Sequence, residues 1–558
     1  MRRATWRRSR LIVAVTVMAL VGAVMAAPAG ARDKPVEKKS KQVELQILAL
    51  NDFHGNINTF SSSFGATGGA QNLATNIAAA EADVRNSIFV SAGDLIGASP
   101  LISALFHDEP TIEVMNEIGL DINGVGNHEF DEGSAELLRM QEGGSHPVDG
   151  DLDGDGFEGA DFKFLSANVT VNDTGETLFP AYTIKNYQGV KVAFIGLTLE
   201  ATPSIVTPAG VAGLTFHDEA ETVNSIVEQL RRKAKIESFV ILIHEGGFSD
   251  GGQSDCGSGL TGPLATIVPA FDDAVDVVIA GHVNDEFVCE VDGKFVTMAD
   301  NAGRLFTDID VTLDKKTKDM TVVAVNNLPN LQSVADDPDV QAIIDKYNAL
   351  SAPLANTVIG SVTTDITRVD DAEFESPLGQ VIADAQLAAT AAVGSGEAVA
   401  AFMNKGGVRD EIDFASSTVG EGDGNVTFGE AFAVQPFGNS LVTMTLTGAQ
   451  IDAVLEQQFQ GAVSRLDVSA GFTYTLSASA APGMKVSNIM IGGAPVVDTA
   501  SYRITVNSFL ADGGDNYPVL ALGTDRLGGE VDLDALVAYF GAISPVAPGP
   551  QNRVTPAP

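Results

Sequence analysis

The stretch VELQILALNDFHG, residues 43–55, contains the pattern that decides the fold. Its first eight residues are mostly apolar and the run stops at Asn51-Asp52, which is typical of a buried strand that leads into a loop. Three further apolar runs end in the same way, at Gly93-Asp94, at His244 and at Gly281-His282. With helical patterns between the runs, the sequence predicts an α/β fold. Because loops that leave the strand ends of such a sheet converge, these polar residues are expected to form one site.

The histidines of the chain are unevenly placed. There are seven, and His107, His146 and His217 lie away from these strand ends. The other four are His54, His128, His244 and His282. A single Asp or His after a strand is usually a cap or a satisfied polar group, so the argument depends on the ordered set. Its oxygen and nitrogen ligands suit two hard or borderline divalent ions.

The order of the polar motifs resembles the signature of the calcineurin-like metallophosphoesterases. That signature is D-x-H, then G-D, then G-N-H-[E/D], then H, then G-H. More narrowly, NDFHG (51–55), GDLIGASPL (93–101) and GNHEFDEG (126–133) are similar to segments of the bacterial 5'-nucleotidase and UDP-sugar hydrolase family. The resemblance covers nearly the whole mature chain. It implies an N-terminal four-layer α/β/β/α metallophosphoesterase domain and a C-terminal α/β nucleotidase domain, joined by a linker helix.

The resemblance also implies two divalent metal ions, such as zinc or manganese. The implied ligands are Asp52 and His54 for one ion, Asn127, His244 and His282 for the other, and Asp94 as the bridge between them. The family closes the first site with a His or Gln two residues after the Gly-His pair, where this chain has Asn284. An amide oxygen can serve there, with an altered preference for the metal.

His128 is implied to face the phosphoryl group, with Asp131 orienting its ring. An imidazolium at this position would stabilise negative charge on the phosphoryl oxygens and on the leaving group. The hypothesis for the reaction is an in-line attack on phosphorus by water that the two cations make acidic.

Four segments of the second half look like the family's C-terminal domain: ESPLG (375–379), NKGGVR (404–409), PFGN (436–439) and NSFLADGGD (507–515). Two aromatic faces can hold a flat base between them, and Phe437 and Phe509 are the expected pair. The resemblance assigns Asp515 to the ribose hydroxyls, Asn404 to the polar edge of the ligand and Arg409 to substrate oxygens near the phosphate.

Residues 1–31 are interpreted as a secretory signal peptide. Five arginines lie within the first ten residues, an apolar stretch runs from 11 to 27, and Ala29-Gly30-Ala31 has the form of a cleavage site. The alternative is a membrane anchor, but the stretch is short for a span of roughly 20 residues. We therefore expect a secreted, cell-surface or periplasmic protein without stable membrane insertion after cleavage.

The rest of the chain is divided into three predicted parts. A metallophosphoesterase domain is expected at 42–330, a linker helix at 331–353 and the substrate-binding domain at 354–548. Asp337-Pro338 before an apolar periodic stretch predicts an N-capped helix, which is the expected hinge element. The formal net charge of −40 repels phosphate backbones, so a nucleotide rather than a nucleic-acid polymer is the expected partner. No oligomeric state is indicated.

Two smaller features stand apart from these domains. Cys256 and Cys289 are the only cysteines, and in an oxidising compartment such a pair favours a disulfide over a metal clip or two unpaired thiols. The carboxylates of Asp151, Asp153 and Asp155 resemble the start of a calcium loop. The twelfth position is Phe162 rather than Glu, so the alternative is an acidic surface insertion.

The sequence thus predicts a 5'-nucleotidase that releases phosphate from nucleoside 5'-monophosphates. Three alternatives remain open. The first is a 2',3'-cyclic phosphodiesterase with 3'-nucleotidase activity. The second is cleavage of UDP-sugars or NAD at the pyrophosphate. The third, from another class, is a surface binding protein that has kept the fold and lost turnover.

Overall fold

The computed structural model of the 558-residue chain describes residues 41–58, 66–206, 210–416, 420–459, 465–477 and 479–557. The signal peptide expected at 1–31 lies outside the described residues. Within those ranges, no helix combines the length and the apolar character that crossing a membrane requires.

Two six-stranded sheets form the N-terminal domain. From edge to edge, sheet I consists of Met320–Pro329, Leu305–Asp314, Gln42–Leu50, Ser87–Ser91, Ile122–Gly124 and Lys163–Leu165. Sheet II consists of Glu286–Val291, Lys294–Ala299, Val275–Ala280, Phe239–His244, Val190–Thr198 and Tyr182–Tyr187. The four strands that the sequence placed before polar motifs are interior strands of these sheets, two in each, and the two strands of each pair run parallel as neighbours.

The sheets pack face to face because alternate residues along their strands are apolar. Leu45 and Ile47 of sheet I share one buried cluster with Val240 and Leu242 of sheet II. Helices Ala70–Glu81, Glu109–Ile118 and Ser134–Glu142 cover the outer face of sheet I, and helix Glu219–Ala234 covers that of sheet II. Each fully buried Val, Leu or Ile contributes roughly 1.5–3 kcal/mol. The result is the four-layer α/β/β/α arrangement that the resemblance implied.

The C-terminal domain is built around one five-stranded sheet, sheet III. Its strands, from edge to edge, are Leu466–Val468, Ala400–Asn404, Ser501–Asn507, Ser440–Thr447 and Thr524–Val531. A four-stranded sheet of Ala494–Pro495, Val486–Ile491, Phe472–Leu476 and Val554–Pro556 lies beside it. Two-stranded pairs join Val358–Ser361 to Asn425–Thr427 and, in the first domain, Val169–Val171 to Leu214–Phe216. Two strands of sheet III end at Asn404 and Asn507. These residues begin the segments 404–409 and 507–515, which the sequence assigned to substrate binding.

The remaining elements are mostly short. The other helices are Leu101–Ala104, Leu264–Ile267, Pro338–Ala355, Pro377–Thr390, Phe428–Val434, Gly448–Gln457, Ser508–Ala511 and Asp532–Ile543. Single 3₁₀ turns occur at His128–Phe130, Thr202–Ser204, Val268–Ala270, Lys405–Gly407 and Leu520–Leu522. Several of them follow directly on the motifs that the sequence singled out.

The helix between the two halves is built into the first domain. It spans Pro338–Ala355, and Asp337 caps it by accepting hydrogen bonds from the backbone N–H groups of residues 339 and 340 at 3.0 and 3.2 Å. Val340, Ile344 and Tyr347 are buried in the cluster beneath sheet I. The helix expected as the hinge element is therefore packed into the phosphoesterase domain, and it also contacts helix Phe428–Val434 of the second domain.

Lys346 of this helix occupies the acidic loop that the sequence suggested as a calcium site. Its Nζ lies 2.6 Å from Asp153 Oδ2 and 3.0 Å from Asp155 Oδ2. The Tyr347 hydroxyl donates to Asp153 at 2.6 Å, and Asp151 accepts the N–H of residue 154 at 2.7 Å. The ammonium group thus supplies a positive charge among these carboxylates, and calcium binding by the loop stays a prediction.

The two cysteines are joined in a disulfide, with their Cα atoms 4.8 Å apart. Cys289 lies in the edge strand of sheet II and Cys256 in the loop that follows His244. The N–H of Ser249 in the same loop donates to Asp285 at 2.9 Å. The covalent link therefore fastens this loop beside the segment that carries His282.

Replacing Lys346 by Met removes the ammonium and leaves the neighbouring carboxylates of Glu113, Asp153 and Asp155 without their cation. We expect Lys346→Met to lower the free energy of unfolding by about 1.5–3 kcal/mol, the range for hydrogen bonds to charged groups. The exposed Lys316 serves as the control, because Lys316→Met should change stability by less than about 0.5 kcal/mol. Equal effects in denaturant unfolding, or a wild type that calcium stabilises, would contradict this account of the loop.

Candidate active site

Two loops at the carboxyl ends of neighbouring strands of sheet I are hydrogen-bonded to each other along their length. The N–H groups of Asp52, His54 and Gly55 donate to the carbonyls of residues 93, 94 and 95 at 3.0, 2.9 and 3.1 Å. Asp52, His54 and Asp94 adopt left-handed backbone, with φ of 48°, 48° and 49°. This conformation is unusual for non-glycine residues and it turns all three side chains inward.

These loops form two groups of metal-binding side chains that share one carboxylate. Within each group the ligand atoms lie within 4.8 Å of one another. The first group is Asp52, His54 and Asp94, and the second is Asp94, His244 and His282. The sharing of Asp94 is the arrangement that a bridging ligand between two cations requires.

A contact with a backbone carbonyl fixes the ring orientation of each of two histidines. His54 Nδ1 lies 2.9 Å from the carbonyl of Gly97, and His244 Nδ1 lies 2.9 Å from that of Ala92. Each ring therefore directs Nε2 toward the carboxylates, since metal-binding histidines are usually held by their other nitrogen in this way. His244 Nε2 is buried 2.9 Å from Asp94 Oδ2 but makes no hydrogen bond among the described residues. A buried nitrogen left in this state fits a metal ligand.

Burial sets the charge states of the group. It lowers the pKa of His54 to about 3 and, with the neighbouring His244, that of His282 to about 4, so both rings are neutral and keep a free lone pair. Burial alone would raise the pKa of Asp94, but its interactions with the neighbouring histidines, His244 first and His128 next, together outweigh burial and hold that pKa well below its usual range. The shared carboxylate is therefore ionised, as a bridging ligand must be.

Asn127 and His282 close the second group. The side-chain oxygen of Asn127 lies 2.9 Å from His282 Nδ1, and the N–H of His282 donates to both carboxylate oxygens of Asp52 at 3.0 Å. Asn284, the residue assigned to the first metal, is exposed and has a φ of 56°. The described contacts do not join it to the other ligands, and its role stays a prediction.

His128 is positioned between the metal-binding loops and the second domain. Its N–H donates to Asp94 Oδ1 at 2.8 Å, and its Nδ1 lies 2.8 Å from Asp131 Oδ2. The ring stacks on Phe437 with centroids 5.7 Å apart and meets His54 edge to face at 5.0 Å. The His128–Asp131 pair thus has the geometry expected of a residue that faces substrate and a residue that orients it.

Glu129 holds the site together, a role that sequence reasoning did not assign. Its buried carboxylate accepts hydrogen bonds from the N–H groups of Asp94, Leu95 and Gly126 at 3.0, 2.9 and 2.7 Å, and from Asn123 at 3.1 Å. Glu129 is the last residue of the motif G-N-H-E, so the sequence marked its position. Only the three-dimensional contacts reveal that its carboxylate binds two loops at once.

A cavity of about 270 Å³ lies between the two domains and reaches the metal-binding residues. Its walls include Asn127, His128, Asp131 and His282 from the first domain and Gly406, Gly407, Arg409, Phe437, Asn439, Asn507, Phe509 and Asp515 from the second. The structure therefore brings together all but one of the substrate-binding residues expected in the C-terminal half around a single space. The exception is Asn404, which stands behind that space.

Arg409 contributes positive charge close to the metal-binding carboxylates. Its guanidinium lies 5.7 Å from the centre of the Phe437 ring. Burial lowers the pKa of Arg409 and Arg368 adds to this, while Asp131, Asp94 and Asp52 oppose them. The guanidinium of Arg409 therefore interacts electrostatically with three carboxylates that surround the predicted position of the phosphoryl group.

Asn404 acts on Asp515 rather than on the cavity itself. Its amide donates to Asp515 Oδ2 at 2.8 Å, and its own oxygen accepts from Asn507 at 3.0 Å. Asp515 is held in left-handed backbone with a φ of 52°. The chain Asn507, Asn404 and Asp515 fixes the carboxylate that was expected to bind the ribose.

Ile205 and Val206 are further wall residues that the sequence did not indicate. They belong to the first domain, in the turn after Thr202–Ser204, and line the same cavity as Phe437 and Phe509. No motif marks them, because a lone apolar pair in a loop has no distinguishing spacing. Only the packing of one domain against the other identifies their position.

Two family models match the chain. Residues 45–285 match the calcineurin-like phosphoesterase model, and residues 358–522 match the model of the 5'-nucleotidase C-terminal domain. The calcineurin-like match contains the metal-binding residues described above, and the second match contains Arg409, Phe437, Phe509 and Asp515.

Several known proteins are similar over most of the chain. Endonuclease YhcR of Bacillus subtilis is 33% identical over 92% of this chain, which spans only 41% of that relative's length. A 5'-nucleotidase of Vibrio cholerae is 29% identical over 96% of this chain and 97% of its own length. The structure of a 5'-nucleotidase precursor from Thermus thermophilus has the same fold, with a TM-score of 0.73 and 24% identity over 92% of this chain and 99% of that one.

The matched domains, in this order and with these residues assembled, determine the family. Calcineurin-like phosphoesterases use a dinuclear centre of divalent metal ions, and the two groups that share Asp94 fit such a centre. The chain therefore belongs to the 5'-nucleotidase family and is a metal-dependent phosphoester hydrolase.

Proposed function

We propose that this protein is an extracytoplasmic 5'-nucleotidase that hydrolyses nucleoside 5'-monophosphates to nucleoside and phosphate. The observation that carries the proposal is the cavity between the domains, because metal-binding residues, two phenylalanines and a carboxylate line the same space. A nucleotide, in which a phosphate is joined to a ribose and a flat base, has a group for each of them. The arginine-rich apolar N-terminus supports the location.

The first domain would bind and activate the phosphate. Asp52, His54 and Asp94 would hold one divalent ion, and Asp94, Asn127, His244 and His282 the other. Such ions supply Lewis acidity toward water and the phosphoryl oxygens. His128, oriented by Asp131, would hydrogen-bond to the phosphoryl group and to the leaving oxygen, where negative charge develops.

The second domain would hold the nucleoside and the outer phosphoryl oxygens. Phe437 and Phe509 would contact the two faces of the base, and Asp515, fixed by Asn404, would accept hydrogen bonds from the ribose hydroxyls. Arg409 would pair with phosphoryl oxygens, since guanidinium groups bind them in a two-pronged geometry. Because the ligand spans both domains, orientation itself becomes part of the catalysis.

Chelation of divalent cations should slow turnover strongly. Lewis-acid activation is worth several kcal/mol, so treatment with EDTA is expected to reduce release of phosphate from 5'-AMP by on the order of 10²–10³-fold. Added Mn²⁺ or Zn²⁺ should restore it. Undiminished turnover after chelation, with metal analysis confirming removal, would exclude a metal-dependent mechanism.

Removal of the His128 imidazole should slow the chemical step more than it weakens binding. We expect His128→Ala to lower kcat by about 10²–10⁴-fold, the usual contribution of a positioned proton donor. The matched control is His217→Ala, because His217 is exposed, lies outside the cavity and hydrogen-bonds through its ring to Thr170. A kcat within a few-fold of wild type in both variants would remove His128 from the mechanism.

Loss of one aromatic face should affect nucleotides and spare a substrate without a base. Stacking contributes about 1–3 kcal/mol per base, so Phe509→Ala should raise KM for 5'-AMP by roughly 5–150-fold. Turnover of ribose 5-phosphate should stay unchanged. Phe414→Ala, at an exposed position outside the cavity, is the control. An equal loss on both substrates would indicate general damage to the domain.

A panel of substrates distinguishes the proposed reaction from its relatives. Steady-state rates would be compared for 5'-AMP, 3'-AMP, 2',3'-cyclic AMP and UDP-glucose, with nucleoside products measured for the last two. Preference for the cyclic compound would assign the protein to the phosphodiesterase class, and preference for UDP-glucose to pyrophosphate cleavage. An absence of turnover with metal bound would instead support a binding protein.

A further inference from the structure

Two of the histidines that the catalytic site does not use meet in a second cluster. His107 follows helix Leu101–Ala104 in left-handed backbone, with a φ of 53°. His146 lies in a turn of the segment 143–159, where residues 146 and 150 exchange backbone hydrogen bonds at 3.1 and 3.0 Å. Their rings stack with centroids 3.8 Å apart and an interplanar angle of 18°. Only 15% and 14% of the two side chains is exposed.

Carboxylates face the nitrogens of both rings. Glu132 Oε2 lies 2.7 Å from His107 Nδ1. Asp149 Oδ2 lies 3.1 Å from His107 Nε2 and 3.3 Å from His146 Nδ1. Glu136 is close as well, but its carboxylate is bound by Arg139, which also binds Glu109. Three separate segments of the chain thus contribute donors to one point.

We propose that this cluster is a third metal site, for a zinc-like divalent ion bound by His107, His146 and Glu132 with Asp149 or Glu136. Single donor atoms of His107, Glu132, Glu136 and His146 lie within 4.8 Å of one another. Zinc takes nitrogen and oxygen donors at about 2.0–2.2 Å, so donors on opposite sides of it stand at most about 4 Å apart. The donors need to approach one another by less than about an ångström, and the two stacked rings need to rotate out of their parallel arrangement so that the lone pair in each ring plane points at the ion. Glu132 and Asp149, which already contact His107, are half-exposed and can follow this rotation.

The local charge favours a dication. Arg139 is already neutralised by Glu136 and Glu109, which leaves Glu132 and Asp149 facing the imidazoles. One bound dication would balance the charge of these two carboxylates, and imidazole with carboxylate is a donor set that zinc prefers.

The site adjoins the catalytic centre without sharing its ligands. His107 and Glu132 line a cavity of about 90 Å³ whose other walls include His128, Asp131 and Phe437. An ion bound there would fasten the segment 143–159 to the turn that carries His128 and Asp131. The site is therefore structural in character and distinct from the pair of groups that share Asp94.

Counting bound ions tests the proposal. The full chain, stripped of metal with chelator, is dialysed against buffered free Zn²⁺, and bound zinc per chain is measured by atomic absorption. Wild type is expected to bind one ion more than the double variant His107→Asn, His146→Asn. The variant His217→Asn is the control and should bind as many ions as wild type. Since the readout is a difference of one ion, it is independent of how many the catalytic centre holds.

A second variant guards against a failure of the double variant to fold, which circular dichroism would reveal. Glu132→Gln changes a single half-exposed side chain and should weaken the extra site at least tenfold, because loss of even an outer partner of a metal costs about 10–100-fold in affinity. Equal zinc content in wild type and the folded double variant, or unchanged zinc affinity in Glu132→Gln, would overturn the proposal.

Discussion

The carboxylate of Glu129 is the interaction on which the active site depends. It receives three backbone N–H groups, two from the loop after one strand of sheet I and one from the loop after the next. The loops carry the metal-binding side chains. The ligand atoms can therefore stay close to one another only if the loops stay close. Glycine at residue 93, with a φ of 96°, permits the approach, because a Cβ there would lie 2.6 Å from the backbone nitrogen of Gly126. Fold and chemistry are thereby joined through one buried side chain.

The same network explains how the site tolerates strain. Left-handed backbone at Asp52, His54 and Asp94 is disfavoured by roughly 1–3 kcal/mol each, and it persists only where the surroundings over-determine it. The hydrogen bonds between the loops and those from Glu129 supply that constraint. The strained conformations direct the ligand side chains toward one another in the structure itself. The free-energy cost of the left-handed backbone is thus met when the protein folds, before substrate binds.

Much of this arrangement could be predicted from the sequence because its signals are local. An apolar run followed by Asp or His predicts both a strand and a polar side chain at its end, whereas the four layers and the two groups of metal ligands were implied by the family resemblance. The contacts that join distant segments could not be inferred in this way. Lys346 in the acidic loop, Ile205 and Val206 in the cavity wall, and the stacking of His107 on His146 depend on tertiary packing. None of these contacts is marked by a characteristic spacing of residues in the sequence.

The connection between the domains also depends on tertiary contacts that the sequence does not mark. The helix Pro338–Ala355 was expected to act as the hinge, yet its apolar face is buried in the first domain. Immediately after it, the carbonyl of Thr357 accepts the N–H of Phe428, and Val358 pairs with Thr427 in the second domain. Asn356 and Thr357 lie between the two elements, and their N–H groups donate to the carbonyls of Ala352 and Leu354 at 3.0 and 3.1 Å. The connection is therefore hydrogen-bonded to both domains, so any rotation of one domain against the other has to break these contacts or change the backbone dihedrals of these two residues.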